Sequence, residues 1–260
     1  MLTTIAHLNG SAIVATDGEI GHVREAYFDD AAWVIRYLVV DAGGWLTDRK
    51  VLISPYAIRA PLAHDKTIAV NLTREQVEHS PDIDTHQPVS RRHEREYLSY
   101  YAYPDYWVGD GLWAMGGLPV LPGALAVPPA VRAAEEQRAA EAEAKVPPED
   151  VHLRSSHHVA GYDIQALDGS IGHVKDFVFD DASWAIRYLL VDTRNWWPGG
   201  KKVLIGTRWI ERIDWGVSTV FVNLSREQIR ASPEFDEAAA IDRAYEQRLH
   251  DAYGRQGYWD

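Results

Sequence analysis

The sequence predicts a mainly β chain: two small β-barrels of one kind, each followed by a helical, aromatic tail, arranged as a pseudo-two-fold pair. Three observations lead there. The window Asp17–Asp41 matches Asp168–Asp192 at a constant offset of 151, with 17 of 25 positions identical. After one residue is inserted near Gly199, the match continues as Lys50–Ser54 against Lys202–Gly206 and Val70–Pro81 against Val222–Pro233. Within each copy, several short strand-like runs are separated by turn residues and end in a helical segment, which favours a small barrel. The duplication divides the 260 residues into 1–110, 111–150 and 151–260. Each outer segment is large enough to bury its own core.

Taken in order, Ser11–Thr16 alternates and halts at Asp17-Gly18, a two-residue hairpin signal. Glu19–Phe28 is the returning strand. It contains Gly21, repeated as Gly172, which predicts a bulge or sharp bend. Trp33–Val40 puts Trp33, Ile35, Tyr37 and Val39 on one face, while Val34, Leu38 and Val40 make the other apolar except at Arg36. A strand apolar on both faces is sandwiched rather than at an edge. Shorter strands follow at Lys50–Ile53 and Thr67–Asn71. Thr73-Arg-Glu-Gln76 and Ser225-Arg-Glu-Gln228 are capping boxes that open one or two helical turns.

The tails Ser90–Trp107 and Asp242–Trp259 are helical, each beginning at a capping residue. Tyr97 and Tyr101 share a face, as do Leu249 and Tyr253. That face packs either on its own barrel or across the two copies. Between the copies, Gly111–Val131 has no charged residue, yet its four prolines and four glycines argue against a membrane-spanning helix. It reads as an extended strap over apolar surface, with a partner-binding surface or membrane contact as alternatives. Ala130–Lys145 reads as a solvated spacer helix.

Bulk properties exclude several classes. The formal net charge is −12, and each of the three segments is net acidic, so the attraction that drives nucleic-acid binding is missing. There is no cysteine, which removes disulfides, thiolate metal sites and a cysteine nucleophile. The first residues lack a basic start followed by an apolar run, so no secretion signal is expected and the location is cytoplasmic, at most peripheral to the inner membrane. No phosphate loop, Walker sequence or nucleophile elbow occurs, so no catalytic residue or cofactor is assigned and an enzyme is not expected.

Asp17-Gly18-x-x-Gly21-x-Val23 and Asp168-Gly169-x-x-Gly172-x-Val174, followed by the aspartate-bounded strands and by Lys-Val-Leu-Ile, resemble PRC-barrel domains. The resemblance covers about residues 5–82 and 156–234. It implies a barrel like that in the cytoplasmic part of the photosynthetic reaction centre H subunit, and more distantly like that of a ribosome maturation factor. The chain departs from the first in having no N-terminal membrane helix. It departs from the second in having no distinct first domain and no basic surplus. A fold of this kind says little about function, which lives in sites placed upon it.

Candidate sites are few. His7 with His158 and His22 with His173 hold equivalent places and could make two metal sites, helped by Asp29-Asp30 and Asp180-Asp181. Their spacing forms no dense ligand motif, so imidazoles donating to backbone carbonyls are the simpler reading and no metal is assigned. Arg36 and Arg187 lie mid-strand among apolar neighbours and require partners if buried. Asp29, Asp41 and their repeats can pair them; recognition of a ligand carboxylate is the alternative. The longest loops carry Trp45 with Arg49 and Lys50, and Trp196 and Trp197 with Lys201 and Lys202. Aromatic side chains beside cations suit a hot spot for a partner, or else fold down as a lid.

These observations favour a non-enzymatic protein-binding or scaffolding role toward another protein or complex, with the two copies docked as an intramolecular pseudo-dimer that can oligomerise further. The alternatives are an accessory to a photosynthetic or other membrane electron-transfer complex, implied by the H-subunit resemblance alone, and a small-ligand or metal sensor.

Overall fold

The computed structural model describes residues 1–46, 49–59, 62, 65–81, 89–107, 111–114, 116–121, 152–194, 196 and 198–259, with Trp45 described by its backbone only. The spacer helix expected over Ala130–Lys145 and most of the strap lie outside the described residues.

The chain is mainly β and forms two sheets. Copy one supplies β1 (Leu2–Thr4), β2 (Ala12–Ala15), β3 (Gly18–Asp29), β4 (Val34–Asp41), β5 (Lys50–Ile53) and β6 (Thr67–Ala69). Copy two supplies β7 (Leu153–Ser155), β8 (Asp163–Ala166), β9 (Gly169–Asp180), β10 (Ile186–Asp192), β11 (Lys202–Gly206), β12 (Ile210–Asp214) and β13 (Thr219–Val222). The hydrogen-bonded orders are β5-β4-β3-β2-β6 and β11-β10-β9-β8-β13-β12. β2 with β6, and β8 with β13, are parallel; the other neighbours are antiparallel. Among the described strands each path is open, with no pairing that joins its two ends.

The two copies exchange their first strands. β2 is four residues long against the twelve of β3, so the last residues of β3 lack a partner on that side. β7, from copy two, fills the gap and pairs Tyr27 with Ser155, Phe28 with Arg154 and Asp29 with Leu153. β1 does the same on β9, pairing Leu2 with Asp180, Thr3 with Phe179 and Thr4 with Val178. Both exposed edges are thereby covered. Side chains repeat the reciprocity: the Ser155 hydroxyl donates to Glu25, and the Ala6 amide donates to Asp176 at 3.1 Å, Glu25 and Asp176 being equivalent. At the junction Ile35 donates its amide to Trp184 O at 2.9 Å, and Ile186 donates to Trp33 O at 2.7 Å. The buried apolar residues of both copies form one cluster.

Among the described residues six helices surround the sheets: α1 (Ile5–Leu8), α2 (Arg74–Glu78), α3 (Arg91–Tyr100), α4 (Ser156–Val159), α5 (Arg226–Ala231) and α6 (Arg243–Tyr253). Both capping boxes form, with Thr73 and Gln76 opening α2 and Ser225 and Gln228 opening α5. The tails pack on their own copies. In copy one the Tyr97 hydroxyl donates to Leu52 O at 3.0 Å and accepts from Ser54 N at 3.1 Å. In copy two Leu249 and Tyr253 are buried.

Gly21 marks close backbone contact. A Cβ there would overlap the Asp41 carbonyl oxygen, and one at Gly172 would overlap that of Asp192. The ladder also shifts register beside each glycine. Trp33 departs from its expected place in the strand. It and Trp184 take positive φ, 55° and 60°, and close the turns before β4 and β10. The Asp29 side chain accepts from Ala31 N and Ala32 N at 3.0 Å and fixes the first of these turns, so Trp33 stacks on Phe28 instead of extending β4.

Candidate functional site

The best-built polar site surrounds Arg36. β4 carries this residue into the interior with its side chain 3% exposed, and its Nη2 lies 3.7 Å from Asp29 Oδ2. Of the two aspartates expected as partners, Asp29 takes the role; Asp41 pairs instead with Arg24 at 2.7 Å. The guanidinium carbon sits 3.8 Å from the Tyr106 ring centroid and 4.8 Å from that of Trp113, a cation enclosed by aromatic faces. Its Nη1 donates to the Leu112 carbonyl. Burial lowers its affinity for the proton, and the nearby Tyr106 and Asp29 oppose that shift.

Helix α3 supplies the next layer. Glu94 is buried, accepts from the Tyr106 hydroxyl and lies 3.4 Å from Arg91, which stacks over Trp107 at 4.4 Å. Desolvation lifts the Glu94 carboxyl to about 7, against the pull of Arg91 and the Tyr106 hydrogen bond. Burial also raises Tyr106 well above an ordinary phenol.

Copy two repeats Arg36, Arg91, Glu94, Tyr106 and Trp107 as Arg187, Arg243, Glu246, Tyr258 and Trp259. Arg187 lies over the Tyr258 ring at 4.2 Å and 4.0 Å from Asp180, and Arg243 stacks over Trp259 at 4.0 Å. Where copy one has Leu98, copy two has His250. Its Nε2 is 2.9 Å from the Tyr188 hydroxyl, which donates to Glu246 at 2.8 Å, and its Nδ1 is 2.8 Å from Gln256 O. Tyr37, the counterpart of Tyr188, has a buried hydroxyl with no hydrogen-bond partner among the described residues. Where copy one has Tyr56, copy two has the exposed Arg208. The Arg187 side chain is 21% exposed and borders an open depression.

The loop residues expected to meet a partner separate into groups. Arg49 donates to Glu78 O and Ser80 O at 2.9 and 2.7 Å, and Lys201 donates to Arg230 O and Ser232 O. These equivalent cations tie the loops to the carbonyls at the ends of α2 and α5. Lys202 pairs with Glu237 at 3.0 Å, while Lys50 is exposed. Trp196 is 38% exposed. The side chains of Trp45 and Trp197 lie outside the described residues.

The histidines stay apart as ligands. His22 lies 3.8 Å from Glu19, both well exposed, and His173 contributes to lowering the Asp192 carboxyl, whose main cause is the Arg194 hydrogen bond. His7 and His158 sit in α1 and α4, where their amides are capped by Thr4 and Ser155. Among the described residues no three histidine or carboxylate side chains converge as a metal site. No described helix is long and apolar enough to cross a membrane.

The role of Leu112-Trp113 was not read from sequence. The signal lay in the tryptophan and small residues of an uncharged segment, but nothing in their spacing names a buried arginine as their target.

Comparison with known families gives the same architecture. The PRC-barrel domain model matches residues 4–77 and again 155–229, together more than half of the chain. The chain therefore belongs to the PRC-barrel domain family and carries the domain in tandem. No curated protein matches it.

Proposed function

We propose that this tandem PRC-barrel protein is a non-enzymatic binding or scaffolding protein whose two copies work as one interlocked pseudo-dimer. The observation that carries the reading is the Arg36 site, where an arginine with an aromatic cover holds a tight turn through a main-chain carbonyl and an indole ring. This is how a peptide-recognition surface works: an aromatic anchor in a pocket and a few directed polar contacts. Exchange of β1 and β7 supports a single rigid unit, which suits a scaffold, and the exposed Trp196 offers a further contact for a partner.

Affinity capture with the full chain tests it, run beside a variant with Trp45, Trp196 and Trp197 changed to alanine and followed by titration of the purified captured protein. A discrete partner that binds the folded wild type saturably, and the variant more weakly, is expected. Folded bait that captures no reproducible partner contradicts the reading.

A further inference from the structure

In copy one the arginine site is closed by the chain itself. Leu112 presents its carbonyl to Arg36 Nη1, and Trp113 sets its ring edge-on to Tyr56 at 5.0 Å. The Trp113 indole N–H then reaches across the junction and donates to Ser183 O at 2.7 Å. Covered in this way, Ser183 is buried and Trp184 is 2% exposed.

Part of that arrangement is repeated around Arg187, with Arg208 in place of the Tyr56 ring. Tyr258 stands in for Tyr106, and Nη1 of Arg187 makes no hydrogen bond among the described residues. Ala32 stands where Ser183 does, but it is exposed, and Trp33 beside it is only half-buried, unlike Trp184. An open depression adjoins Arg187, lined also by Tyr188, Thr207, Arg208, Trp209 and His250. No carboxylate lines it; Asp180 and Glu246 lie behind, bonded to Ser183 and Tyr188. Arg208 is exposed and makes no ion pair among the described residues. Along the lining, Ser54, Pro55, Tyr56, Ala57 and Leu98 of copy one are replaced by Gly206, Thr207, Arg208, Trp209 and His250; Arg208 and His250 make the site more basic and more polar, and Trp209 adds an aromatic wall.

We propose that the copy-two site binds a tight-turn peptide segment of a partner protein, carrying a tryptophan with an acidic residue nearby, in the pose that Leu112-Trp113 takes over Arg36, where Trp113 and Gly116 exchange backbone hydrogen bonds. The proposal rests on the binding reading above and names its surface and occupant. The indole enters between Tyr258 and Arg208, the preceding carbonyl accepts from Arg187 Nη1, and the indole N–H faces Ala32 O. The acidic residue meets Arg208. A second copy of this chain does not serve as the source, because its own Leu112-Trp113 is committed to Arg36.

The test uses the full chain and a fluorescein-labelled peptide with the sequence of residues 109–117, Gly-Asp-Gly-Leu-Trp-Ala-Met-Gly-Gly, followed by anisotropy. Saturable binding is expected. Arg187→Gln, with its fold checked by circular dichroism, weakens it about tenfold through loss of a charge-assisted hydrogen bond. Arg208→Glu, an exposed change that spares the fold, weakens it about threefold or more. A peptide with alanine in place of tryptophan does not bind. Absent saturable binding, or equal binding by both variants, overturns the proposal. Binding of N-acetyltryptophanamide as tight as that of the peptide also overturns it, in favour of a small-ligand pocket. If the peptide fails while affinity capture returns a saturable partner, the site assignment falls and the binding reading stands; if both fail, both fall.

Discussion

The Tyr106 hydroxyl donates to the Glu94 carboxyl in a layer closed to solvent between α3 and Arg36. The pair recurs in copy two as Tyr258 held against Glu246. It links the tail helix to the arginine strand, since Tyr106 also covers the Arg36 guanidinium. Glu94, Tyr106 and Arg36 thus form one polar column inside an apolar cluster, and disturbance at any member is felt by the others.

Glu94 gives the stability of copy one a pH signature. Its carboxyl is raised from an ordinary 4.5 to about 7 in the folded protein, chiefly by desolvation. Between those values the folded state binds the proton that the unfolded state has released, so the contribution is full below 4.5 and is lost as pH rises through about 7. Glu94→Gln removes this titration. Relative to wild type, the variant gains about 3 kcal/mol between pH 4.5 and 8. Urea unfolding across that range measures it; a wild-type-to-variant difference that stays constant with pH contradicts it.

Arg36 and Arg187 differ in how much of the fold depends on them. Arg36→Ala leaves buried Asp29 without its cation and removes the guanidinium stacked on the Tyr106 ring, a loss of about 3 kcal/mol. Arg187→Ala, at a more exposed site, costs about 1 kcal/mol. Chemical unfolding of the two variants distinguishes them, and equal losses would contradict the asymmetry.

The loop cations are expected to hold the fold, and the loop tryptophan is not. Lys201→Ala frees the carbonyls at the end of α5 and costs about 1 kcal/mol. Trp196→Ala shifts stability by less than about 0.5 kcal/mol, because the side chain is substantially exposed. Thermal melts check both. A large loss at Trp196 would make that residue a lid rather than a contact surface.

The elements legible in the sequence were those fixed by neighbours in the chain. Asp17-Gly18 turns between β2 and β3, Thr73 and Ser225 cap their helices, and Lys50–Ile53 is a strand with the expected bounds. Gly21 was legible because the demand it meets, contact with Asp41, recurs at Gly172. What escaped was long-range. Leu2–Thr4 and Leu153–Ser155 are three-residue strands of mixed polarity whose partners lie in the other copy, so no local pattern marks them. Lys201 and Arg49 perform the same task at the ends of equivalent helices, and the carbonyls they meet lie about 30 residues further along the chain. Arg36 was recognisable as a residue in need of a partner, while its cover by Trp113 depends on a strap that follows it by more than 70 residues.

The central claim is that the two copies form one unit through exchanged strands. A specific protease site placed within residues 122–150 of the intact protein, cut after folding and followed by size-exclusion chromatography in high salt, tests this most directly. The account predicts that both fragments elute together at the position of the uncut chain, held by β1 on β9, β7 on β3 and the shared apolar cluster. Fragments that separate while each keeps its β-sheet signal would contradict it.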